Sequence, residues 1–336
     1  MKYDTMVLIG RFQPVHKGHL MVIMEAVKQT RELLIIIGSA DKPRSYKNPW
    51  TAKEREAMLH NALEGMDIGN CRIHIEHVKD YLYNDDLWAT KIQGIVSKYR
   101  CLGGRTGIIG HKKDESSFYL DMFPQWDSVL LEKQLDIDAT TVRTKYFGTD
   151  SEIDGKVLPQ STILFLKGWQ GNIYYNTIVL EKEYLDKYKL QFKDMAYPPI
   201  FVTVDAVIVC AGHILLIKRK SYPGKGLWAL PGGFVNAATD RSMVAAMQRE
   251  LKEETGLKIP PIAIAKAESR VFDAIGRSER GRTITHAFYL NLGKVPLPKV
   301  KGMDDAEKAV WLPLNEVKSC EMFEDHYEII TTMAGV

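Results

Sequence analysis

Hydrophobic and polar positions change rhythm part-way along the chain. In the first half short apolar runs alternate with amphipathic stretches. Thr5-Met6-Val7-Leu8-Ile9 is strand-like, and Leu20, Ile23, Met24 and Val27 then recur at helical spacing. Glu32-Leu33-Leu34-Ile35-Ile36-Ile37-Gly38 reads as a fully buried strand of the kind parallel sheets contain. Thr51 and Glu54 form a capping box that opens a helix to about Leu63. Residues 71–75 alternate as a strand, 86–99 read as a helix and 106–110 as a strand. Strands alternating with helices argue for a parallel α/β sheet. Ligands of such sheets sit outside the carboxyl ends of the strands.

The second half reads differently. Residues 172–193 are mixed and fit one or two helices. Ala196-Tyr197-Pro198-Pro199 is a linker stiffened by its prolines. Residues 201–209 and 213–217 then read as two strands joined at Ala211-Gly212, and Leu230-Pro231-Gly232-Gly233-Phe234 reads as a turn. Met243, Ala246, Met247, Glu250 and Leu251 lie along a helix that Gly256 ends as its C-cap. The expected division is 1–170, a connector over 171–199, and 200–336.

Composition narrows this picture. A chain of 336 residues suits two domains. Its 45 basic and 42 acidic residues leave a net charge of +3, too balanced for a nucleic-acid partner. Cys71, Cys101, Cys210 and Cys320 form no C-x-x-C pair, so neither zinc nor a disulfide framework is implied, and a reducing cytoplasm fits. No signal peptide and no run of membrane-spanning length is present, so no membrane partner is expected.

The chemistry gathers in two stretches. Gly10-Arg11-Phe12-Gln13-Pro14-Val15-His16-Lys17-Gly18-His19 joins the first strand to the first helix. Such a loop points free N–H groups and a positive dipole end at an anion. His16 and His19 are three apart at the helix start, so they face one bound group, and each neutral imidazole can donate one hydrogen bond. In the second stretch, Arg249-Glu250-Leu251-Lys252-Glu253-Glu254-Thr255-Gly256-Leu257, three glutamates fall on one helix side. Their mutual repulsion is relieved by a hard divalent cation with oxygen ligands.

The decapeptide resembles the H-x-G-H signature of the nucleotidyltransferases, and its longer form resembles the archaeal-type nicotinamide mononucleotide (NMN) adenylyltransferases. Asn48-Pro49-Trp50-Thr51-Ala52-Lys53-Glu54-Arg55 is similar to a segment of those enzymes. Asp80, Asn84 and Trp88 resemble their nicotinamide-binding segment. In Ile137-Asp138-Ala139-Thr140-Thr141-Val142-Arg143, Asp138 and Ala139 replace two serines while Thr140 and Arg143 remain. The second stretch is similar to the core of the Nudix box, with Gly232 and Gly233 upstream. The box departs in one respect: fifteen residues separate Gly233 from Arg249, two more than in the family, and Asp240 is the only acid among them. Asp240 is suited to cap free N–H groups or to pair with Arg249.

These resemblances imply a Rossmann-like parallel-sheet nucleotidyltransferase domain followed by an α/β/α Nudix domain with a mixed sheet. They imply transfer of AMP from ATP to NMN, giving NAD, and hydrolysis of ADP-ribose. His16, His19 and Arg143 are then catalytic. Gly10, Arg11, Phe12, Gln13, Lys113 and Thr140 contact ATP, and Asn48, Trp50, Asp80, Asn84 and Trp88 contact the mononucleotide. Glu250, Glu253 and Glu254 hold Mg²⁺ or Mn²⁺, while Gly232, Gly233 and Arg249 serve the second substrate. Its general base is one of these glutamates or an acid on a later loop, such as Asp304, Asp305 or Glu324. On composition alone Trp50 and Trp88 read as core aromatics. The second domain could also be a non-catalytic nucleotide sensor, the first could use another phosphate acceptor, and a homo-oligomer is left open.

Overall fold

The structure, a computed structural model, describes residues 1–100, 103–111, 119–132, 137–149 and 151–335. Contacts divide the chain into two compact units, Met1–Val179 and Leu180–Val336.

In the first unit β1 (Tyr3–Gly10), β2 (Thr30–Ile37), β3 (Arg72–His77), β4 (Thr106–His111) and β5 (Asp127–Leu131) form one sheet in the order β3-β2-β1-β4-β5. Every neighbouring pair is parallel. Helices α1 (Lys17–Val27), α2 (Ala52–Leu63) and α3 (Asp85–Ser97) connect the first four strands, and α4 (Ala139–Tyr146) and α5 (Gln160–Trp169) follow β5. Period-two side-chain direction splits β1 and β2 between two cores. Met6, Leu8, Leu33, Ile35 and Ile37 join the cluster that holds α1 and α2. Val7, Ile9, Leu34 and Ile36 join Ile92 and Val96 of α3. With both faces covered, residues 33–37 are all fully buried, which is why that run is unbroken by polar residues. Strand order reverses between β1 and β4, so the loops leaving these two strands flank the ligand crevice.

Helix α6 (Ile173–Leu190) is one continuous helix, and the boundary between the units falls within it. The second unit contains β6 (Ile200–Cys210), β7 (His213–Arg219), β8 (Trp228–Ala229), β9 (Gly232–Phe234), α7 (Met243–Thr255), α8 (Pro261–Ile264), β10 (Glu268–Phe272), β11 (Arg282–Asn291), β12 (Ala306–Pro313) and α9 (His326–Ala334). The sheet order is β10-β11-β6-β7-β12, with β8 on β7 and β9 on β6. It is mixed: β11 runs parallel to β6, and the other pairs are antiparallel. Ala246, Met247 and Leu251 of α7 bury against Val204, Ala206 and Ile208 of β6. Gly256 closes α7 with φ 71°, a left-handed conformation that glycine adopts without a Cβ penalty.

One expectation is corrected here. Residues 232–234 are a strand, not a turn, and pair with β6 through Asp205↔Gly232 and Thr203↔Phe234. A Cβ on Gly232 would lie 2.1 Å from the Val204 carbonyl oxygen, so only glycine allows this approach. Among the described residues no helix is long and apolar enough to cross a membrane.

Candidate active sites

The first site is assembled where β1 ends. Gly10 and Phe12 act together: Phe12, at φ 52°, folds its ring back so that a Cβ on Gly10 would meet it at 2.9 Å. The ring is 1% exposed and supports His19, with centroids 4.7 Å apart. Gln13 is equally buried. Its amide pairs with the backbone of Trp50 in both directions, at 2.9 and 3.2 Å. The side chains of Phe12 and Gln13 are therefore engaged in supporting the loop. Arg11 alone of the three is exposed.

His16 is the N-cap residue of α1, and its ring stacks on that of His19 at 3.6 Å and 23°. His19 Nδ1 accepts the His16 backbone N–H at 3.2 Å. In the neutral ring the proton then sits on Nε2. A Cβ on Gly18 would crowd the His16 ring at 3.1 Å. The glycine between the histidines thus lets the imidazole lie over the helix start.

Arg55, quoted in the sequence motif without a role, is the keystone beneath this loop. It is 1% exposed and donates to the carbonyls of Arg11, Gly38 and Ser39 at 2.7, 2.7 and 3.0 Å. Burial lowers its pKa to about 10, against the attraction of Asp80. Arg143 is 3% exposed and donates to the Gln13 carbonyl at 2.8 Å and to Thr140 Oγ1 at 3.2 Å. Thr140 itself is exposed, and Asp138 caps α4 by accepting the Thr141 N–H at 3.0 Å.

The residues expected around the mononucleotide divide. Trp88 is half-buried, edge-on to Tyr119 at 6.4 Å and tilted against Phe123 at 6.0 Å. Asn84 spends its Oδ1 on capping α3, accepting the Leu87 N–H at 2.9 Å. Asp80 accepts the Ser39 hydroxyl at 3.0 Å. Trp50 is corrected to a core residue: 1% exposed, it packs among Tyr146, Phe147 and Trp169 at 5.8–5.9 Å. Its indole N–H and the neighbouring Asn48 Oδ1 are buried without hydrogen-bond partners among the described residues. Lys113 lies outside the described residues.

The second site surrounds the start and inner face of α7. Ser242 caps the helix, accepting the Ala245 N–H at 3.1 Å, so Asp240 takes the other role open to it. Asp240 grips Arg249 through both carboxylate oxygens at 2.9 and 2.7 Å. Those bonds, with the Asn236 N–H, hold its pKa down at about 2. Arg249 donates onward to Glu250 and Glu253, each at 2.9 Å. Glu254 is 5% exposed and accepts the Gly232 N–H at 2.8 Å. Burial pushes its pKa up to about 8, and burial likewise raises that of Glu250. A Cβ on Gly233 would lie 2.6 Å from a Glu250 oxygen, so the Gly-Gly pair lets β9 pass between β6 and α7.

These glutamates open on a cavity of about 510 Å³, also lined by Tyr184, Arg219, Phe234, Arg277, Arg280 and Phe323. Asp304, Asp305 and Glu324 line it too. Arg219 lies over the Phe323 ring at 4.0 Å, and burial followed by repulsion from Arg280 lowers its pKa. Arg277 and Asp325 form a buried two-bond pair, each bond 2.8 Å. His326 Nδ1 accepts the Leu230 N–H at 2.9 Å. Sequence reading missed Arg219, Arg280 and Tyr184, which stand alone in their segments and reach the cavity only through the fold. Among the described residues no three acidic, histidine or cysteine side chains already form a closed metal cage. The donor set nevertheless fits a hard cation: adjacent carboxylates on one face, two with protonation favoured by burial, a penalty a cation would remove.

Comparison with known proteins agrees with this division. The Cytidylyltransferase-like family matches residues 7–146 and the NUDIX domain family residues 199–333. The nicotinamide/nicotinic acid mononucleotide adenylyltransferase of Acinetobacter baylyi is 38% identical over 56% of this chain and 96% of its own. The ADP-ribose pyrophosphatase of Methanocaldococcus jannaschii is 38% identical over 46% of this chain and 82% of its own. A crystal structure of a bifunctional NMN adenylyltransferase/ADP ribose pyrophosphatase from Francisella tularensis, complexed with AMP and Mn ion, is 34% identical, covers 99% of both chains and superposes with a TM-score of 0.89. The chain belongs to the family of bifunctional NMN adenylyltransferase/ADP-ribose pyrophosphatases, a cytidylyltransferase-like domain joined to a NUDIX domain.

Proposed function

We propose that residues 1–170 transfer AMP from ATP to NMN and that residues 200–336 hydrolyse ADP-ribose to AMP and ribose 5-phosphate, with 171–199 as the connector between the two domains. The observation that carries this reading is that each chemical constellation gathers within its own unit: the stacked imidazoles at the switch point of one sheet, the carboxylate–arginine cavity on the other.

In the first reaction a phosphate oxygen of NMN attacks the α-phosphorus of ATP. The new P–O bond forms as the bond to the β-phosphate breaks, and pyrophosphate leaves. No covalent intermediate with the protein is required, so the protein's task is to position and to stabilise charge. His19 and His16 would donate to phosphate oxygens, with the start of α1 adding N–H dipoles. Arg11 and Arg143 would bring the guanidinium charge. Trp88 would stack on the nicotinamide ring. Asn48 Oδ1, buried and still needing a donor, suits the carboxamide NH₂ of that ring and favours the amide over the acid form.

In the second reaction Glu250, Glu253 and Glu254 would hold Mg²⁺ or Mn²⁺. Such an ion, when bound, supplies Lewis-acid charge to a diphosphate and acidifies a water. Arg219 and Arg280 would face the diphosphate, and Arg249 orients two of the glutamates. Asp304, Asp305 or Glu324 would take the proton from the attacking water. A cytoplasmic location would suit these substrates and the free thiols of Cys71, Cys210 and Cys320.

The test uses the purified chain. Incubation with ATP, Mg²⁺ and NMN should yield NAD and pyrophosphate, more efficiently than with nicotinic acid mononucleotide. Separate incubation with ADP-ribose should yield AMP. Binding of ADP-ribose without AMP release, with either cation, would establish the sensor reading instead.

A further inference from the structure

The cavity of the second unit has a wall that lies outside the NUDIX match. That match begins at residue 199, yet Tyr184, on the C-terminal part of α6, lines the same cavity as Glu250 and Glu254. One turn earlier Glu181 is 4% exposed and accepts the Gly224 N–H at 3.1 Å. Gly224 belongs to the loop over 220–226, whose Pro223 carbonyl takes the Arg219 Nε–H at 2.9 Å. The loop is fixed on its other side as well: Gly224 has φ 71°, and a Cβ there would lie 2.3 Å from the Phe323 ring. This end of α6 is therefore fastened to the loop that aims Arg219 into the cavity.

The ring of Tyr184 is also held. Tyr188 backs it at 6.3 Å and 20°, and Tyr188 packs on Phe201 at 5.6 Å. Phe201 meets Phe234 edge-on at 5.8 Å, and Arg280 lies 4.9 Å over Phe234. This aromatic row begins and ends in the cavity, and Tyr184 and Phe234 are each 37% exposed. Phe323, by contrast, is 4% exposed beneath Arg219. A cavity whose charged lining is arginine, lysine and carboxylate thus also presents an accessible, pre-positioned aromatic face. Guanidinium groups match a diphosphate and carboxylates match its cation. The flat apolar face matches a nucleobase.

We propose that Tyr184 is a substrate-recognition residue of the pyrophosphatase site, stacking on the purine of a nucleoside diphosphate sugar, and that residues 181–192 belong to that site as well as to the connector. This deepens, and rests on, the reading of the second unit as an ADP-ribose pyrophosphatase.

The test compares Tyr184→Ala and Tyr184→Phe in the full chain, with an unchanged kcat for AMP release as the control for folding of the second unit. Loss of a base-stacking ring corresponds to about tenfold to a hundredfold in affinity. Tyr184→Ala should raise the KM for ADP-ribose by that factor with little change in kcat, and Tyr184→Phe should stay near wild type. Should the alanine variant lose AMP release altogether, Tyr184→Leu keeps the bulk without the π face and should show the same rise in KM. Wild-type KM in a folded Ala or Leu variant overturns the inference alone. A wild-type protein that releases no AMP from ADP-ribose overturns the underlying reading, and this inference with it.

Discussion

Arg55→Met removes the guanidinium that ties together the carboxyl ends of β1 and β2. The wild-type side chain makes four hydrogen bonds to backbone carbonyls, three from its Nη atoms and one from Nε to Thr51, each charge-assisted and contributing about 1.5–3 kcal/mol. Burial opposes them and lowers the pKa to about 10. Removing one partner of a buried ionic partnership costs about 3–5 kcal/mol, and the net loss on substitution is of that order. For a unit of this size the melting temperature should fall by roughly 5–20 °C. The loss is local to the first unit, so adenylyl transfer should drop even where the variant is folded, while ADP-ribose hydrolysis holds. Differential scanning calorimetry with both assays on one sample is the measurement. Arg55→Lys should rescue little, because one ammonium cannot reach three carbonyls in the geometry of the planar fork. A melting temperature and an NAD synthesis rate both equal to wild type would refute the assignment of Arg55 as keystone.

His19→Ala should abolish NAD synthesis and leave ADP-ribose hydrolysis near wild type; concurrent loss of both in a folded variant would argue against independent sites. Trp88→Ala should raise the KM for the mononucleotide by about ten- to a hundredfold with little effect on that for ATP, and steady-state kinetics with each substrate varied will decide it. Glu254→Gln should remove AMP release from ADP-ribose almost completely while NAD synthesis persists, and retained hydrolysis would exclude Glu254 from the site. Burial holds His326 below the ordinary 6.5, so the unfolded chain takes up this proton first as the pH falls. Its contribution to stability is intact above about pH 6.5 and declines below it by at most about 1.4 kcal/mol per pH unit. Melting curves at pH 7.5 and 5.5 should therefore differ less in His326→Gln than in wild type, and equal differences would refute the effect.

The first unit was legible where burial is two-sided or a cap is local. The run at 33–37 reads as a buried strand because both its faces are covered, and Thr51 with Glu54 marks the start of α2 through bonds four residues can make alone. What escaped is what the neighbours decide. The edge strand β5 leaves Leu130 48% exposed, and α5 leaves Leu164 61% exposed, so neither shows a clean period. Trp50 lies in a motif whose resemblance implies a mononucleotide contact, yet the aromatic cluster that buries it comes from α4, α5 and Phe147, about a hundred residues downstream. The long-range bonds of Gln13 and Arg55 are invisible for the same reason.

The altered Nudix box shows how a departure in sequence can keep a physical task. Aspartate is one methylene shorter than the glutamate it replaces, so it holds Arg249 only if its backbone comes closer. The two extra residues allow that. The segment doubles back on itself, with Asn236 N–H bonded to Asp240 Oδ2 and Asp240 N–H bonded to the Asn236 carbonyl, at 2.8 and 2.9 Å. Asp240 then takes the Nε–Nη2 edge of the guanidinium, and the remaining donors reach Glu250, Glu253 and the Phe234 carbonyl. Arg249 thereby connects the loop, β9 and the face of α7 that carries the carboxylates. Loss of the box glutamate is no loss of this connection, because a carboxylate held at about 2 stays ionised throughout the working pH range. The three glutamates suited to a cation lie together on α7, with Arg249 bonded to two of them.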